Sequence, residues 1–224
     1  MNKVYATLSA DIVDSTSLSA EDTIKLKESF EGFFPVMKSF CGEAWGRVVR
    51  GDSVECVIPE VAQSLRIALL LKCYVKMLDL DSASRAMKKK GIRVVIGLGS
   101  LRINDRKNGI IDGEAIYNSG RELDKLSGSD GITLSLVSSE MNVGGYSALC
   151  DILGFVVTRA TGKQCQVLYH LLLGETQMQI AKKLGLEQPT VNQHAAAVGW
   201  SAIQRALAKY ESDSIGFKET GSSV

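Results

Sequence analysis

The amino-acid sequence predicts an α+β protein in which a sandwich of one sheet and its helices is followed by an all-α domain. Up to residue 143, segments rich in β-branched residues alternate with segments whose apolar residues recur at helical spacing. From residue 161 onward, helical patterns follow one another without a strand pattern between them. A chain of 224 residues, 45% hydrophobic and 23% charged, can build one large and one small packed domain.

The predicted elements of the first part follow the order β-α-β-β-α-β-α-β. Strands are predicted at 3–10, 92–98 and 131–137, and a hairpin at 46–58. Helices are predicted at 20–40, 60–90, 114–126 and 144–158, and residues 102–112 form a loop or a hairpin. Strand pairs separated by helices indicate a sandwich of the ferredoxin-like kind. The predicted units are a domain at 1–143, a connecting helix at 144–160, a helical domain at 161–211 and a disordered tail at 212–224.

The composition argues against several classes of protein. Five cysteines, an odd number without any C-x-x-C pair, and only two histidines do not suit a zinc site or a disulfide framework. The cysteines are therefore predicted to be buried thiols in a reducing compartment. No apolar run reaches the roughly 18 residues of a membrane span, and no signal peptide is evident. These observations predict a cytoplasmic protein without a membrane partner.

The C-terminal part of the chain carries the local signals of three short helices. Thr161 and Gln164 fit the capping box S/T-x-x-E/Q, so that a helix begins just after Thr161. Thr176 is placed to cap the second helix. Gly185 permits the positive φ that a sharp turn needs, and Pro189 suits the first turn of the third helix.

The spacing of the residues around this turn is the stronger signal. Gln177, Ala181, Gly185 and Val191 lie four, four and six residues apart. Ala181 is small where two helices cross, and Val191 seats the third helix on the core. The residues of the second helix predicted to point inward are Met178, Ile180, Ala181 and Leu184.

The segments TGKQCQVL and GETQMQIAKKLGLEQPTVNQH resemble the helix-turn-helix of the sigma-factor region 4 and LuxR-type families. The resemblance covers residues 161 to 210 and implies binding of double-stranded DNA. A trihelical dimerisation or protein-docking module of the same shape is the alternative. The formal charge of −1 for residues 1–158, +4 for 159–210 and −2 for 211–224 favours DNA as the partner.

The polar side chains of the third helix and the nearby lysines are the candidate DNA contacts. Amides can read adenine through two hydrogen bonds, and threonine can contact a thymine methyl group. Lysines contact phosphates and set affinity and register rather than sequence preference. The predicted base contacts are Gln188, Thr190, Asn192 and Gln193, and the predicted phosphate contacts are Lys163, Lys182 and Lys183.

Two acidic motifs mark the first domain. The segment ADIVDST places Asp11 at the end of the first strand, and Gly51-Asp52 forms the turn of the predicted hairpin. Asp11 and Asp52 are therefore expected to lie close together. Two such carboxylates, with Asp14 nearby, repel each other unless a cation or a basic side chain compensates them. A turn or capping role for both aspartates is the alternative.

These motifs resemble the class III nucleotidyl cyclases, in which a D-I-x-x-S/F-T segment and a G-D turn each supply an aspartate. The resemblance implies that Asp11, Asp52 and the Ile12 carbonyl hold Mg²⁺ or Mn²⁺ beside a nucleotide. It also assigns nucleotide contacts to Asn118 and Arg121 in the segment GEAIYNSGREL. In that family the corresponding residues lie four apart, whereas here they lie three apart, which argues against turnover.

The combination of a cyclase-like domain with a C-terminal helix-turn-helix resembles the SatD family of bacterial proteins. This resemblance implies a DNA-binding transcriptional regulator whose first domain forms a homodimer through residues 1–158, senses a nucleotide, or does both. The competing hypotheses are a metal-dependent nucleotidyl cyclase with an attached DNA-binding module and a protein-docking adaptor. The spacing of Asn118 and Arg121 favours the regulator over the enzyme.

Overall fold

A computed structural model describes residues 3–127 and 131–216. Its strands are β1 (Val4–Ile12), β2 (Trp45–Arg50), β3 (Ser53–Ile58), β4 (Ile92–Ser100), β5 (Ile103–Asp105), β6 (Ile110–Asp112) and β7 (Leu134–Ser138). Five of them form one sheet in the order β2-β3-β1-β4-β7, and β5 and β6 form a separate hairpin. Only the pairing of β4 with β7 is parallel in the five-stranded sheet. The predicted α+β class is confirmed, and residues 102–112 contain a hairpin.

The helices surround this sheet and continue beyond it. They are α1 (Ala20–Phe40), α2 (Ser64–Met77), α3 (Arg85–Lys90), α4 (Glu114–Ser127), α5 (Gly144–Arg159), α6 (Gly162–Leu172), α7 (Gln177–Leu184), α8 (Gln188–Ala197) and α9 (Trp200–Gly216). None of the helices in the described ranges is both long and apolar enough to cross a membrane. All five cysteines are buried thiols, as the composition predicts.

The two faces of the sheet pack against different kinds of surface. Alternate residues of β1 enter the apolar core that α1 and α2 also build, in keeping with the two-residue period of a strand. On the opposite face, the hydroxyls of Thr7 and Ser9 lie 3.1 and 2.8 Å from the Ser119 hydroxyl of α4. A Cβ atom at Gly97 would lie 2.1 Å from the Ala115 carbonyl oxygen. Gly97 therefore permits the close approach of α4 to β4.

The predicted helix at 60–90 is two helices separated by residues 78–84, which contain a turn. α2 ends at Met77, and Leu78 adopts φ −66° and ψ 131°. The buried Asp22 of α1 accepts hydrogen bonds from the backbone N–H and from the hydroxyl of Ser82, and Ser84 caps α3. These contacts with α1 stabilise the break, and they depend on residues far from it in the sequence.

α6 joins the C-terminal helices to the rest of the protein. Cys165, Leu168 and Leu172 on one face of α6 belong to the main core, whereas Val167 and Leu171 on its other face pack with α7 and α8. The predicted boundary at residue 161 therefore does not separate two independent cores. α9 continues to Gly216, beyond the predicted end of the helical domain at 211. The remainder of the predicted tail, 217–224, lies outside the described residues.

Polar contacts also fasten α9 to α2. The hydroxyls of Tyr210 and Ser64 lie 2.7 Å apart, and both residues are buried. Arg66 binds Glu211 through an Nη2–Oε1 contact of 2.7 Å and donates from Nη1 to the Leu172 carbonyl at 3.1 Å. The orientation of the C-terminal helices is therefore tied to the sheet through α2.

A buried lysine of α2 connects the starts of β4 and β7. Lys72 is 1% exposed, and its Nζ donates to the carbonyls of Ile92 at 2.7 Å and Thr133 at 2.9 Å. Burial disfavours the charged form and lowers the pKa of Lys72 to about 7.

This pKa predicts a pH dependence of stability. In the unfolded chain a lysine has a pKa of about 10.4, so between roughly pH 7 and pH 10 the unfolded state binds more protons than the folded state. The contribution of Lys72 to the free energy of unfolding should therefore rise with pH across this window. Lys72→Met should flatten that rise in urea titrations at pH 7, 8.5 and 10. Lys27→Met, at an exposed position of α1, is the control. A Lys72→Met profile parallel to the parent profile would contradict the prediction.

Candidate functional site

The two aspartates singled out in the sequence lie on adjacent parts of the sheet. Asp11 lies near the end of β1 and pairs with Ser53, the first residue of β3. The Ile12 N–H donates to the carbonyl of Asp52 at 3.0 Å. The backbones of Asp11 and Asp52 are therefore neighbours, as the strand and hairpin assignments predict. We call this region, with Ser15 and Arg93, the acidic strand end.

Arg93 compensates the charge of Asp11. The two residues face each other across β1 and β4, with Nε to Oδ1 at 2.8 Å and Nη2 to Oδ2 at 2.6 Å. Their side chains are only 16% and 23% exposed, respectively, and Arg93 Nη1 also donates to the Ser127 carbonyl at 3.3 Å. Arg93 was not among the predicted site residues. Its signal was a charged residue within the otherwise apolar strand IRVVIGL.

Asp52 and Asp14 have different surroundings. The Ser15 hydroxyl donates to Asp52 Oδ2 at 2.5 Å, which joins the turn between β2 and β3 to the segment after β1. Asp14 is exposed and has φ 59° and ψ 40°, a left-handed conformation that Asp adopts more readily than most residues. The exposed Asp14 carboxylate can therefore remain hydrated, which limits its repulsion of the other two.

The residues of the acidic strand end do not fit a divalent cation in this arrangement. Both carboxylate oxygens of Asp11 accept hydrogen bonds from Arg93, and one oxygen of Asp52 accepts from Ser15. Mg²⁺ prefers octahedral oxygen ligands, and an adjacent guanidinium opposes a second cation. Within residues 3–127 and 131–216, no group of three or more His, Cys, Asp or Glu side chains has a geometry suited to a metal.

The residues assigned to nucleotide contact lie on α4, with partners of their own. Asn118 Nδ2 donates to the Ser139 hydroxyl at 2.8 Å. The exposed Arg121 guanidinium lies 5.7 Å from the centre of the Tyr117 ring, a cation–π arrangement. In the described part of the chain, neither side chain is hydrogen-bonded to Asp11 or Asp52.

The second candidate site is formed by α7, α8 and the turn between them. Thr161 with Gln164 and Thr176 with Gln179 form complete capping boxes at the starts of α6 and α7. Gly185 ends α7 with φ 64° and ψ 34°. The predicted capping roles of Thr161 and Thr176, and the predicted turn at Gly185, are therefore confirmed.

One prediction about the interior of this helix pair is wrong. Ile180, Ala181 and Val191 are buried, but Met178 is 71% exposed. Because an α-helix has 3.6 residues per turn, Met178 lies roughly 200° around α7 from Ile180. When α7 packs Ile180 against α6 and α8, it therefore turns Met178 to the surface.

The candidate base contacts lie on α8. Gln188, Asn192 and Gln193 are exposed, and Thr190 is partly buried. Asn192 Oδ1 accepts a long contact of 3.5 Å from the Gln177 amide of α7. Three polar side chains of α8 are thus accessible, and one of them is weakly oriented by α7.

The three candidate phosphate contacts differ in their surroundings. Lys163 and Lys182 are exposed, whereas Lys183 Nζ binds Glu175 Oε1 at 2.7 Å. His170 Nδ1 lies 3.2 Å from the same oxygen. Partial burial alone would raise the pKa of Glu175, but the hydrogen bonds from Lys183 and His170 hold it below its ordinary value. A phosphate would therefore compete with a carboxylate for Lys183. Glu175 was not predicted as a site residue, because it lies between α6 and α7 and its contacts come from side chains of both helices.

Comparisons with known proteins add a partial likeness of shape. No family model and no curated protein sequence matches the chain. The structure is similar to that of a bacterial light-regulated adenylyl cyclase, with TM-score 0.39 and 15% identity over 61% of this chain and 76% of that one. It is also similar to the guanylyl cyclase Cya2, with TM-score 0.35 and 12% identity over 59% of this chain and 83% of that one. At these scores, the likeness supports no conclusion about activity.

The left-handed conformation of Gly185 predicts a specific stability effect. An added Cβ would meet no neighbouring atom, so the cost of Gly185→Ala comes from backbone conformation and should be about 1 kcal/mol. Gly120→Ala in α4 is the control, because it also enters open space but at a helix position, where Ala is favoured by up to about 1 kcal/mol. Urea denaturation measures both. Equal effects of the two substitutions would contradict the assignment of strain to Gly185.

Proposed function

We propose that this protein is a DNA-binding transcriptional regulator that places α8 in the major groove. The observation that carries the proposal is the packing of α7 and α8. The two helices turn at the left-handed Gly185 and enclose Ile180, Ala181 and Val191, while the amide side chains of α8 remain exposed. A helix-turn-helix has these properties, and its second helix reads base edges.

The exposed residues have the chemistry for two kinds of DNA contact. Gln193 and Asn192 carry amides, which can pair with adenine N6 and N7 through two hydrogen bonds. Lys182 and Lys163 are exposed cations suited to phosphates. Lys183 contributes less in this proposal, because Glu175 already neutralises it.

The packing of α6 bears on how two copies would bind. α6 shares one core with α2 and a second with α7 and α8, so α8 is held in a defined orientation relative to the sheet. In our proposal, two copies associate through residues 1–158. The two α8 helices then meet half-sites about 34 Å apart, one turn of DNA. A rigid connection lets the spacing between subunits set the spacing between half-sites.

Two single substitutions separate the predicted roles on DNA. Lys182→Ala should weaken binding to specific and random duplexes equally and reduce the slope of log K against log salt by about 0.9, the value for one phosphate contact. Gln193→Ala should lose roughly 1–3 kcal/mol of preference at one base pair and leave binding to random DNA nearly intact. Fluorescence anisotropy between 50 and 200 mM salt, on sites obtained by selection from random duplexes, measures both effects.

Lys27→Ala on α1 is the control for charge alone, because it removes an exposed lysine distant in sequence from the helix pair. Binding that does not change with salt would overturn the proposal in favour of a protein-docking module. An equal loss on specific and random DNA for Gln193→Ala would show that this residue does not read a base.

A second candidate function is nucleotide binding or cyclisation in the first domain. The observation that favours it is the position of Asp11, near the end of β1, next to the turn that carries Asp52. Asn118 and Arg121 would then be the nucleotide contacts. Incubation of the purified protein with ATP or GTP and Mn²⁺, followed by chromatography, tests this function. We expect no cyclic nucleotide, because Arg93 occupies the carboxylate oxygens of Asp11. Formation of cyclic product that is lost in Asp11→Asn would establish the enzyme instead.

A further inference from the structure

The acidic strand end contains its own cation. Arg93 uses two nitrogens for the two oxygens of Asp11 and a third for the Ser127 carbonyl at the end of α4. The planar guanidinium matches the carboxylate and holds a fixed geometry that an ammonium does not provide. The partly buried Arg93 side chain is therefore held by both the Asp11 carboxylate and the Ser127 carbonyl.

The charges explain why a cation is required there. Asp11 lies near the end of β1, and Asp52 lies in the turn between β2 and β3, where its carbonyl accepts a hydrogen bond from the Ile12 N–H. Carboxylates that approach each other repel unless positive charge lies between or beside them. Arg93 supplies that charge from β4, and Ser15 supplies a hydrogen bond to Asp52.

We infer that Arg93 is a built-in counter-ion that takes the place of a divalent metal at the acidic strand end. The carboxylates then form a permanently compensated, metal-independent structure. Removing the guanidinium frees both oxygens of Asp11, on the strand whose next residue is hydrogen-bonded to the Asp52 backbone, and in this inference the freed oxygens become available to a hard cation. The inference is independent of DNA binding, because Asp11 and Arg93 lie on β1 and β4, whereas the proposed DNA contacts lie on α6, α7 and α8.

The experiment is a gain of metal binding. Arg93→Gln removes the charge, and Arg93→Lys keeps it. We expect millimolar Mn²⁺ to leave the melting temperature of the parent and of Arg93→Lys unchanged and to raise that of Arg93→Gln by about 3 °C. Electron paramagnetic resonance should detect about one bound Mn²⁺ per chain in Arg93→Gln alone. Adding Asp11→Asn to Arg93→Gln should abolish both effects.

Arg102→Gln is the matched control, because Arg102 also binds an aspartate, Asp112, but at an exposed position remote from the acidic strand end. It should gain no Mn²⁺ binding. Binding of Mn²⁺ by the parent at the level of Arg93→Gln would overturn the inference, as would a folded Arg93→Gln that does not bind.

If Arg93→Gln does not fold, a second variant tests the inference through the melting temperature. Asp11→Asn in the parent protein leaves the partly buried Arg93 without its charged partner, so the melting temperature should fall by several degrees. Asp14→Asn, at the exposed neighbouring position, is the control and should have little effect. If Asp11→Asn instead raises the melting temperature, the carboxylates repel each other without compensation, and the inference is wrong.

Discussion

The buried amino group of Lys72 links α2 to the sheet, and the contacts of α2 with the C-terminal helices depend on that link. It is buried in α2, and burial of a lysine is stabilising only when its protons find acceptors. The carbonyls of Ile92 and Thr133 provide them, which ties α2 to the starts of the parallel strands β4 and β7. One turn later, Lys76 donates to the Val157, Thr158 and Ala160 carbonyls at the end of α5. α2 thereby positions both the sheet and the approach to the C-terminal helices.

The same helix determines how the two candidate sites are related. Ser64 and Arg66 near its start contact Tyr210, Glu211 and the Leu172 carbonyl, so α6 and α9 are fastened to the body of the protein. On β4, Arg93 directly follows Ile92, whose carbonyl accepts a hydrogen bond from Lys72. α2 therefore contacts the elements that carry both candidate sites.

The acidic strand end illustrates how an arrangement of residues can differ from the one its motifs suggest. Asp11 and Asp52 are carboxylates near the end of β1 and in the adjacent turn, and carboxylate oxygens are the ligands that a hard cation prefers. A single arginine on the next strand changes the chemistry, because it supplies the positive charge itself and uses the oxygens that a metal would need. The comparable case among the helices is Lys183, whose charge Glu175 neutralises. In both cases a side chain from another element decides whether the predicted contact is available.

Features that depend on local interactions could be predicted from the amino-acid sequence. The capping boxes at Thr161 and Thr176 and the turn at Gly185 involve residues within a few positions of each other, so their signals are complete in a short segment. Most of the order of strands and helices also follows from local periodicity, apart from the break between α2 and α3. Two features could not be predicted from any local pattern. They are the pairing of Asp11 with Arg93, which are 82 positions apart, and the break between α2 and α3, which Asp22 of α1 stabilises. The tertiary structure also placed α6 in the main core, because that requires the apolar face of α2. These contacts depend on strand register and helix packing, which bring together residues that no local pattern relates.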